Sequence, residues 1–155
     1  MSFRVITSGA CLAALLCSVV VMAQTNPEAE KIIKQRQDHL ESLGDSFKVI
    51  RDQLRGDKSV GAITEAADNI NTLAADIHSW FPAGTGPEAG VETEALPTIW
   101  EKGADFKKAA DGLGVAAGEM LAAAKSGDLG KVGANVRTLG GACKNCHDNF
   151  RLDKD

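Results

Sequence analysis

The residues with the clearest capacity for chemistry lie near the C-terminus, in the run Cys143, Lys144, Asn145, Cys146, His147. The pattern Cys-x-x-Cys-His is the signature of covalent haem attachment. On a helix, thiols three residues apart lie on the same side, where both sulfurs can add to the two vinyl groups of one haem. The histidine then lies beneath the iron as an axial ligand. The motif therefore predicts one covalent haem c per chain.

Other uses of a Cys-x-x-Cys pair fit this chain less well. A thioredoxin-like redox pair requires a strand followed by a helix, and the sequence shows no strand pattern. A zinc site would lack a fourth ligand. A structural disulfide between Cys143 and Cys146 stays open, because such pairs occur in export compartments.

The elements that position this motif are four predicted helices. In the first, Asn26 is a suitable N-cap, and apolar residues recur at seven-residue spacing as on one packed face. A Pro- and Gly-rich segment, residues 81–97, interrupts the pattern and predicts one long crossover loop. The predicted helices span about residues 27–55, 60–79, 98–125 and 129–152. The fold class is therefore all-α, an antiparallel four-helix bundle with the haem motif on its C-terminal helix.

The N-terminus predicts export. Residues 5–21 form an almost uninterrupted apolar run after Arg4. At its end lie Val21, Met22 and Ala23, small or apolar residues at the positions that a signal peptidase reads. These features indicate a signal peptide over residues 1–23, cleaved to leave a domain of residues 24–155 in the periplasm. A retained membrane anchor and a lipid-anchored Cys11 or Cys17 are the alternatives.

The charge balance argues against polyanionic partners. The chain has 17 Lys and Arg against 21 Asp and Glu, a formal net charge of −4. A chain without a basic excess lacks the electrostatic footprint that holds a phosphate backbone or anionic lipid. We therefore expect neither nucleic acid nor, for the mature domain, a membrane as a partner.

The chain as a whole resembles cytochrome c prime, of the class II c-type cytochromes. The resemblance covers essentially the whole of residues 24–155. Its motifs are Cys143 to His147, Phe150-Arg151, Arg36-Gln37, Phe81-Pro82 with Gly84-Thr85, and the stretch 93–100. The resemblance implies the four-helix fold, electron transfer, and a homodimer through the first two helices.

One charged residue occupies an apolar seam. Arg36 lies seven residues before Leu43, where the pattern requires a hydrophobic residue, so it needs an anion beside it. The resemblance implies that Arg36 and Gln37 reach haem propionates, and that Thr93 and Glu94 line the haem edge. The alternative for Arg36 is a pair with an acidic residue of its own helix.

Leu40 decides the mechanism, because the resemblance implies that low-spin relatives carry a ligating methionine here. Leucine cannot bind iron, so we expect a five-coordinate haem with Leu40 over its distal face. Met120 is predicted to be a core residue. His39 should point away from the iron, since one residue along a helix is a rotation of about 100°. His78 is predicted to be a surface or loop-packing residue.

Arg151 has two interpretations. It lies one turn after His147, so its guanidinium could hold a polar or anionic guest near that side and raise the reduction potential. Alternatively, it pairs with Asp148 or Asp153.

The sequence therefore predicts an exported haem protein that carries electrons to an unidentified redox partner and binds nitric oxide or carbon monoxide. Leu40 offers no hydrogen bond to dioxygen, so binding should favour the other two gases. A low-spin cytochrome that acts only as an electron carrier is the alternative. An enzyme is not expected, because no distal acid–base pair is visible around Leu40.

Overall fold

The structure is a computed structural model, and it describes residues 26–153. The predicted signal peptide over residues 1–23, with Cys11 and Cys17, lies outside the described residues. Within residues 26–153, no helix has both the length and the apolar character needed to cross a membrane.

Helix α1 spans Pro27–Arg55, as the sequence predicts. Its first turn is capped by Asn26, whose side-chain oxygen accepts a hydrogen bond from the Glu28 amide at 3.0 Å. Pro27 lies in the first turn, where its missing N–H costs nothing. Local signals therefore set the start of this helix.

Helix α2 spans Val60–Ala74, so the prediction that it continues to residue 79 is wrong. The chain instead tightens into a 3₁₀ turn, Ile77–Trp80. The Asp76 carbonyl accepts hydrogen bonds from both the amide and the hydroxyl of Ser79, at 2.8 and 2.7 Å. A side chain that bonds three residues back in this way favours the tighter turn over an α-helix.

The predicted third helix is two helices, α3 at Thr98–Glu101 and α4 at Gly103–Lys125. Tertiary contacts fix the orientation of α3. The Thr98 hydroxyl donates to the Asn149 carbonyl at 3.0 Å, and the Trp100 indole donates to the Phe81 carbonyl at 3.0 Å. The break lies at Lys102, whose φ of −117° and ψ of 46° are not helical, and Gly103, a weak helix former, begins α4.

Helix α5 spans Leu129–Phe150 and ends two residues earlier than predicted. Arg151 leaves the helix to form an isolated antiparallel bridge with Ala95 of the crossover loop. The Leu96 amide donates to the Phe150 carbonyl at 3.0 Å, and the Leu152 amide donates to the Glu94 carbonyl at 2.8 Å. The loop is thereby attached to the end of the helix that carries the haem motif.

The four long helices pack as the predicted antiparallel bundle, with α1 against α2, α2 against α4, and α4 against α5. Helix α4 carries an apolar stripe along one face, and all six of its residues are buried. Met120 is fully buried within it, as predicted. The stripe comprises Phe106, Ala110, Leu113, Ala117, Met120 and Ala124.

Candidate haem site

A cavity of about 890 Å³ lies between α1 and α5 and extends beneath the crossover loop. This volume is near the upper end of the range of about 300–1,000 Å³ that small-molecule and cofactor sites occupy. The structure places every predicted site residue on its lining: Arg36, Gln37, Leu40, Thr93, Glu94, Cys143, Cys146, His147 and Arg151. Residues separated by more than a hundred positions in the sequence therefore meet in one cavity.

Cys143 and Cys146 lie on one face of α5 as free, half-buried thiols. Burial raises the pKa of the Cys143 thiol. The pKa of the Cys146 thiol is raised to about 11, mainly by burial and secondly by the nearby charge of Cys143. Redox-active thiol pairs depend on a lowered pKa, so these cysteines do not have the properties of a thioredoxin-like centre. They are placed to form bonds to a group inside the cavity.

His147 follows on the same helix and also faces the cavity lining. Burial, and then the positive charge of Arg151, lower its pKa. A lowered pKa keeps the imidazole neutral over a wider pH range, and the neutral form is the one that ligates metals.

Arg36 is buried to 2 % exposure and holds its guanidinium against the loop. Its Nη1 donates to the Thr85 hydroxyl at 3.1 Å, while Nη2 donates to the Thr85 carbonyl and the Thr93 hydroxyl, both at 3.0 Å. The guanidinium also lies 4.5 Å from the centre of the Phe81 ring. These contacts use neutral oxygens and an aromatic face.

Within residues 26–153, no carboxylate forms an ion pair with Arg36. The alternative of a pair within its own helix is therefore wrong. Burial lowers the pKa of Arg36, but a guanidinium stays charged in proteins. Its three hydrogen bonds leave the Nε–H and one Nη1–H for a further partner. A buried cation on a cavity wall with donors to spare is suited to an anionic group in that cavity.

The loop residues connect the two sides of the cavity. Gln37 donates from Nε2 to the Glu92 carbonyl at 3.0 Å, beside the bond between Arg36 and Thr93.

On the α5 side of the cavity, the Glu94 carboxylate lies 3.8 Å from the guanidinium of Arg151. The alternative that Arg151 pairs with Asp148 or Asp153 is wrong, because the described ion pair of Arg151 is with Glu94, while Asp148 binds Lys144 at 2.7 Å. The bridge between Ala95 and Arg151 brings Glu94 to Arg151 instead.

The other candidate iron ligands lie outside the cavity lining. His39 packs its ring against Trp80, with centroids 4.7 Å apart. His78 is exposed and borders a separate hollow of about 320 Å³ near Asp111 and Val115. Met120 belongs to the core. Among residues 26–153, His147 is thus the one histidine on the lining, which contains no methionine.

Sequence reasoning assigned no role to two features of the site. Thr85 holds Arg36 although 49 positions separate them, and no local pattern marks it as a partner. Phe81, Phe106 and Phe150 form an edge-to-face series, with centroids 4.9 and 5.2 Å apart, that contributes an aromatic wall. Their aromatic character and long spacing are signals of a core, which does not distinguish a cavity wall from ordinary packing.

The residues present fit a covalent haem. Two thiols, one imidazole, a buried guanidinium without a carboxylate partner and an aromatic wall surround a space of cofactor size. The family model described as cytochrome C' matches residues 31–151. The chain belongs to the cytochrome c' family. It is therefore a haem c protein of electron transport.

Relatives and solved structures agree with this assignment. The chain is 35% identical over 130 residues to cytochrome c' of Pararhodospirillum photometricum, covering 81% of this chain and 98% of that one. It is 34% identical to cytochrome c-554 of Cereibacter sphaeroides, covering 88% and 90%. A similar solved structure is the nitric oxide complex of a leucine-to-alanine variant of cytochrome c prime from Alcaligenes xylosoxidans. Its TM-score is 0.72 at 28% identity, with 81% of this chain and 97% of that chain covered.

Proposed function

We propose that this cytochrome c' family member is exported to the periplasm, carries electrons, and binds nitric oxide or carbon monoxide at a five-coordinate iron. The observation that carries the proposal is the aliphatic side chain of Leu40 on the α1 wall of the cavity, with His147 on the α5 wall. Since His39, His78 and Met120 lie away from the lining, the described chain offers no conventional sixth ligand.

When bound, haem c supplies a one-electron couple and an iron centre that accepts axial ligands. In this proposal Cys143 and Cys146 hold it through thioether bonds, and His147 ligates the iron. The half-buried position of both thiols and the lowered pKa of His147 support these roles. Arg151 adds a positive charge beside His147, and Glu94 at 3.8 Å balances it.

Arg36 would bind a haem propionate with the N–H groups that the loop leaves unused. Its burial and its lack of a carboxylate partner support this role, because a desolvated cation is stabilised strongly by an anion. Gln37 and Thr93 adjoin it on the lining, and Glu94 continues the same segment. We assign these four residues to the haem edge.

Gas binding follows from the character of Leu40. An aliphatic side chain gives no hydrogen bond to bound dioxygen, whereas nitric oxide and carbon monoxide need little such stabilisation. The nitric oxide complex of the leucine-to-alanine variant of the similar Alcaligenes xylosoxidans protein supports nitric oxide binding here. The homodimer through α1 and α2 and the redox partner stay predictions.

Absorption spectra of the reduced protein, with and without carbon monoxide, test the coordination state. We expect one broad visible band without the gas, as five-coordinate haem gives, and a clear spectral change when carbon monoxide is added. Sharp split bands that do not respond to carbon monoxide would instead support the low-spin carrier that acts in electron transfer alone.

Arg36→Ala is expected to lower the reduction potential and to cost about 1–3 kcal/mol of unfolding free energy. The change removes the cation that the site provides for a propionate, and it leaves two oxygens of Thr85 and one of Thr93 without their donor. Redox titration and chemical denaturation of the haem-loaded protein measure both effects.

The matched control is Arg55→Ala, on the same helix. Arg55 is exposed and lies 3.8 Å from Asp52, so its loss should change the unfolding free energy by less than about 1 kcal/mol. Its potential should equal that of the native protein. If Arg36→Ala behaves like this control, Arg36 has no part in haem binding.

A further inference from the structure

Thr85 and Arg36 are the two buried polar residues among those the structure describes, and they bind each other. The Thr85 hydroxyl donates to the Pro82 carbonyl at 2.7 Å and accepts from Arg36 Nη1 at 3.1 Å. The Thr85 carbonyl accepts from Nη2 of the same guanidinium at 3.0 Å. One residue therefore holds both terminal nitrogens of Arg36, and its own hydroxyl is oriented by the turn in which it lies.

That turn is built to hold a fixed shape. Gly84 has φ +81°, a conformation that side-chain-bearing residues rarely adopt. At Gly86, a Cβ would lie 2.8 Å from the Trp100 ring, so a larger residue does not fit. The Trp100 indole donates to the Pro82 carbonyl at 3.2 Å, which is the same oxygen that orients Thr85. Trp100 thus helps to fix the Pro82 carbonyl to which the Thr85 hydroxyl donates.

The acceptors around Arg36 are neutral, and this has an electrostatic consequence. An acidic partner in place of Thr85 would fix the guanidinium equally well but would cancel its charge. A hydroxyl and carbonyls satisfy its N–H groups and leave the positive charge acting on the cavity. The loop therefore fixes the position of the Arg36 guanidinium without neutralising its charge.

We propose that Thr85 is the positioning residue for Arg36, fixing its guanidinium at the cavity wall so that its full charge acts on the haem. This inference rests on the proposed function, in which Arg36 binds a haem carboxylate. Thr85 itself is not on the cavity lining. Its effect on the iron passes through Arg36.

The test is the midpoint potential of the haem-loaded protein for Thr85→Val, which keeps the shape of the side chain and removes the hydroxyl. With a less fixed cation, the reduced form is less stabilised, and the ratio of reduced to oxidised protein at a fixed applied potential should fall about threefold, as for the loss of one hydrogen bond. Thr85→Ser keeps the hydroxyl and should retain the native ratio. The control Thr64→Val removes a hydroxyl bonded to the Val60 carbonyl on α2, away from the lining, and should leave the ratio unchanged.

A double-mutant cycle separates positioning from a general structural effect. In an Arg36→Ala background, Thr85→Val should produce no further change in the ratio. A shift of equal size in both backgrounds, a native potential in Thr85→Val, or a failure of Thr85→Ser to restore it would each overturn the inference. If Thr85→Val does not fold, the same comparison between Thr85→Ala and Thr85→Ser decides.

The cycle also distinguishes this inference from the proposed function. If Arg36→Ala alone leaves the potential unchanged, the assignment of Arg36 to the haem fails, and the role of Thr85 fails with it. If Arg36→Ala lowers the potential while Thr85→Val does not, Arg36 keeps its role and the positioning role of Thr85 is wrong.

Discussion

Replacing both Cys143 and Cys146 with alanine is expected to abolish covalent haem completely. These are the free thiols of the described chain, and both line the cavity, so the double variant has no sulfur there to form a thioether. The measurement is acid–acetone extraction of the denatured protein, followed by absorption spectroscopy of both phases. Native protein should keep its colour through extraction, and the double variant should lose all of it.

The two residues between the cysteines provide the matched control. Lys144 and Asn145 are exposed, and their replacement by alanine leaves both thiols and His147 in place. This control should keep its haem through extraction. Haem retained by the double cysteine variant would show that attachment occurs elsewhere, and the assignment of Cys143 and Cys146 would be wrong.

The parts of the fold that follow from neighbouring residues are predictable from the sequence. The start of α1 follows from Asn26 and Pro27, and the cap of α5 follows from Asp128, which accepts from the Gly130 and Lys131 amides at 3.0 Å. The buried stripe of α4 follows from apolar spacing. These features depend on interactions within about one helical turn.

The missed boundaries depend on contacts between distant residues. The separation of α3 from α4 accompanies bonds from Thr98 and Trp100 to partners 51 and 19 positions away. The early end of α5 accompanies the bridge to Ala95. Because these contacts exist only once the bundle has formed, the apolar pattern by itself predicted continuous helices.

The site divides in the same way. The haem motif is contiguous and could be identified directly, and Arg36 was conspicuous as a charge in an apolar seam. The partner of Arg151 could not be predicted, because the sequence offers nearby acids such as Asp148 and Asp153 as candidates. The actual partner, Glu94, comes from the crossover loop and approaches Arg151 only in the folded protein. Thr85 was equally hidden, since its role depends on a residue of α1.

The second large effect is expected at Leu40, whose side chain lines the cavity at 37 % exposure. If Leu40 covers the distal face of the haem, carbon monoxide must displace it, and binding to the native protein should be slow. Leu40→Ala removes this obstacle, so the association rate should rise by orders of magnitude, each factor of ten corresponding to about 1.4 kcal/mol of barrier. Flash photolysis or stopped-flow mixing of the reduced protein measures the rate.

Leu54→Ala is the matched control, because Leu54 lies on the same helix and packs against the core without lining the cavity. It should destabilise the fold while leaving the association rate close to that of the native protein. A rate increase in both variants would indicate general loosening of the bundle rather than a specific barrier at Leu40.

Leu40→Met makes the converse test, since it supplies the iron-binding side chain that Leu40 lacks. A thioether one turn after Arg36 could reach the iron from the α1 wall, giving sharp low-spin bands in the reduced spectrum and weak binding of carbon monoxide. The two substitutions then shift one property in opposite directions, since alanine opens the sixth position and methionine fills it. Equal carbon monoxide rates in the native and Leu40→Ala proteins would mean that another residue guards the iron, and the assignment of Leu40 to the distal face would have to be abandoned.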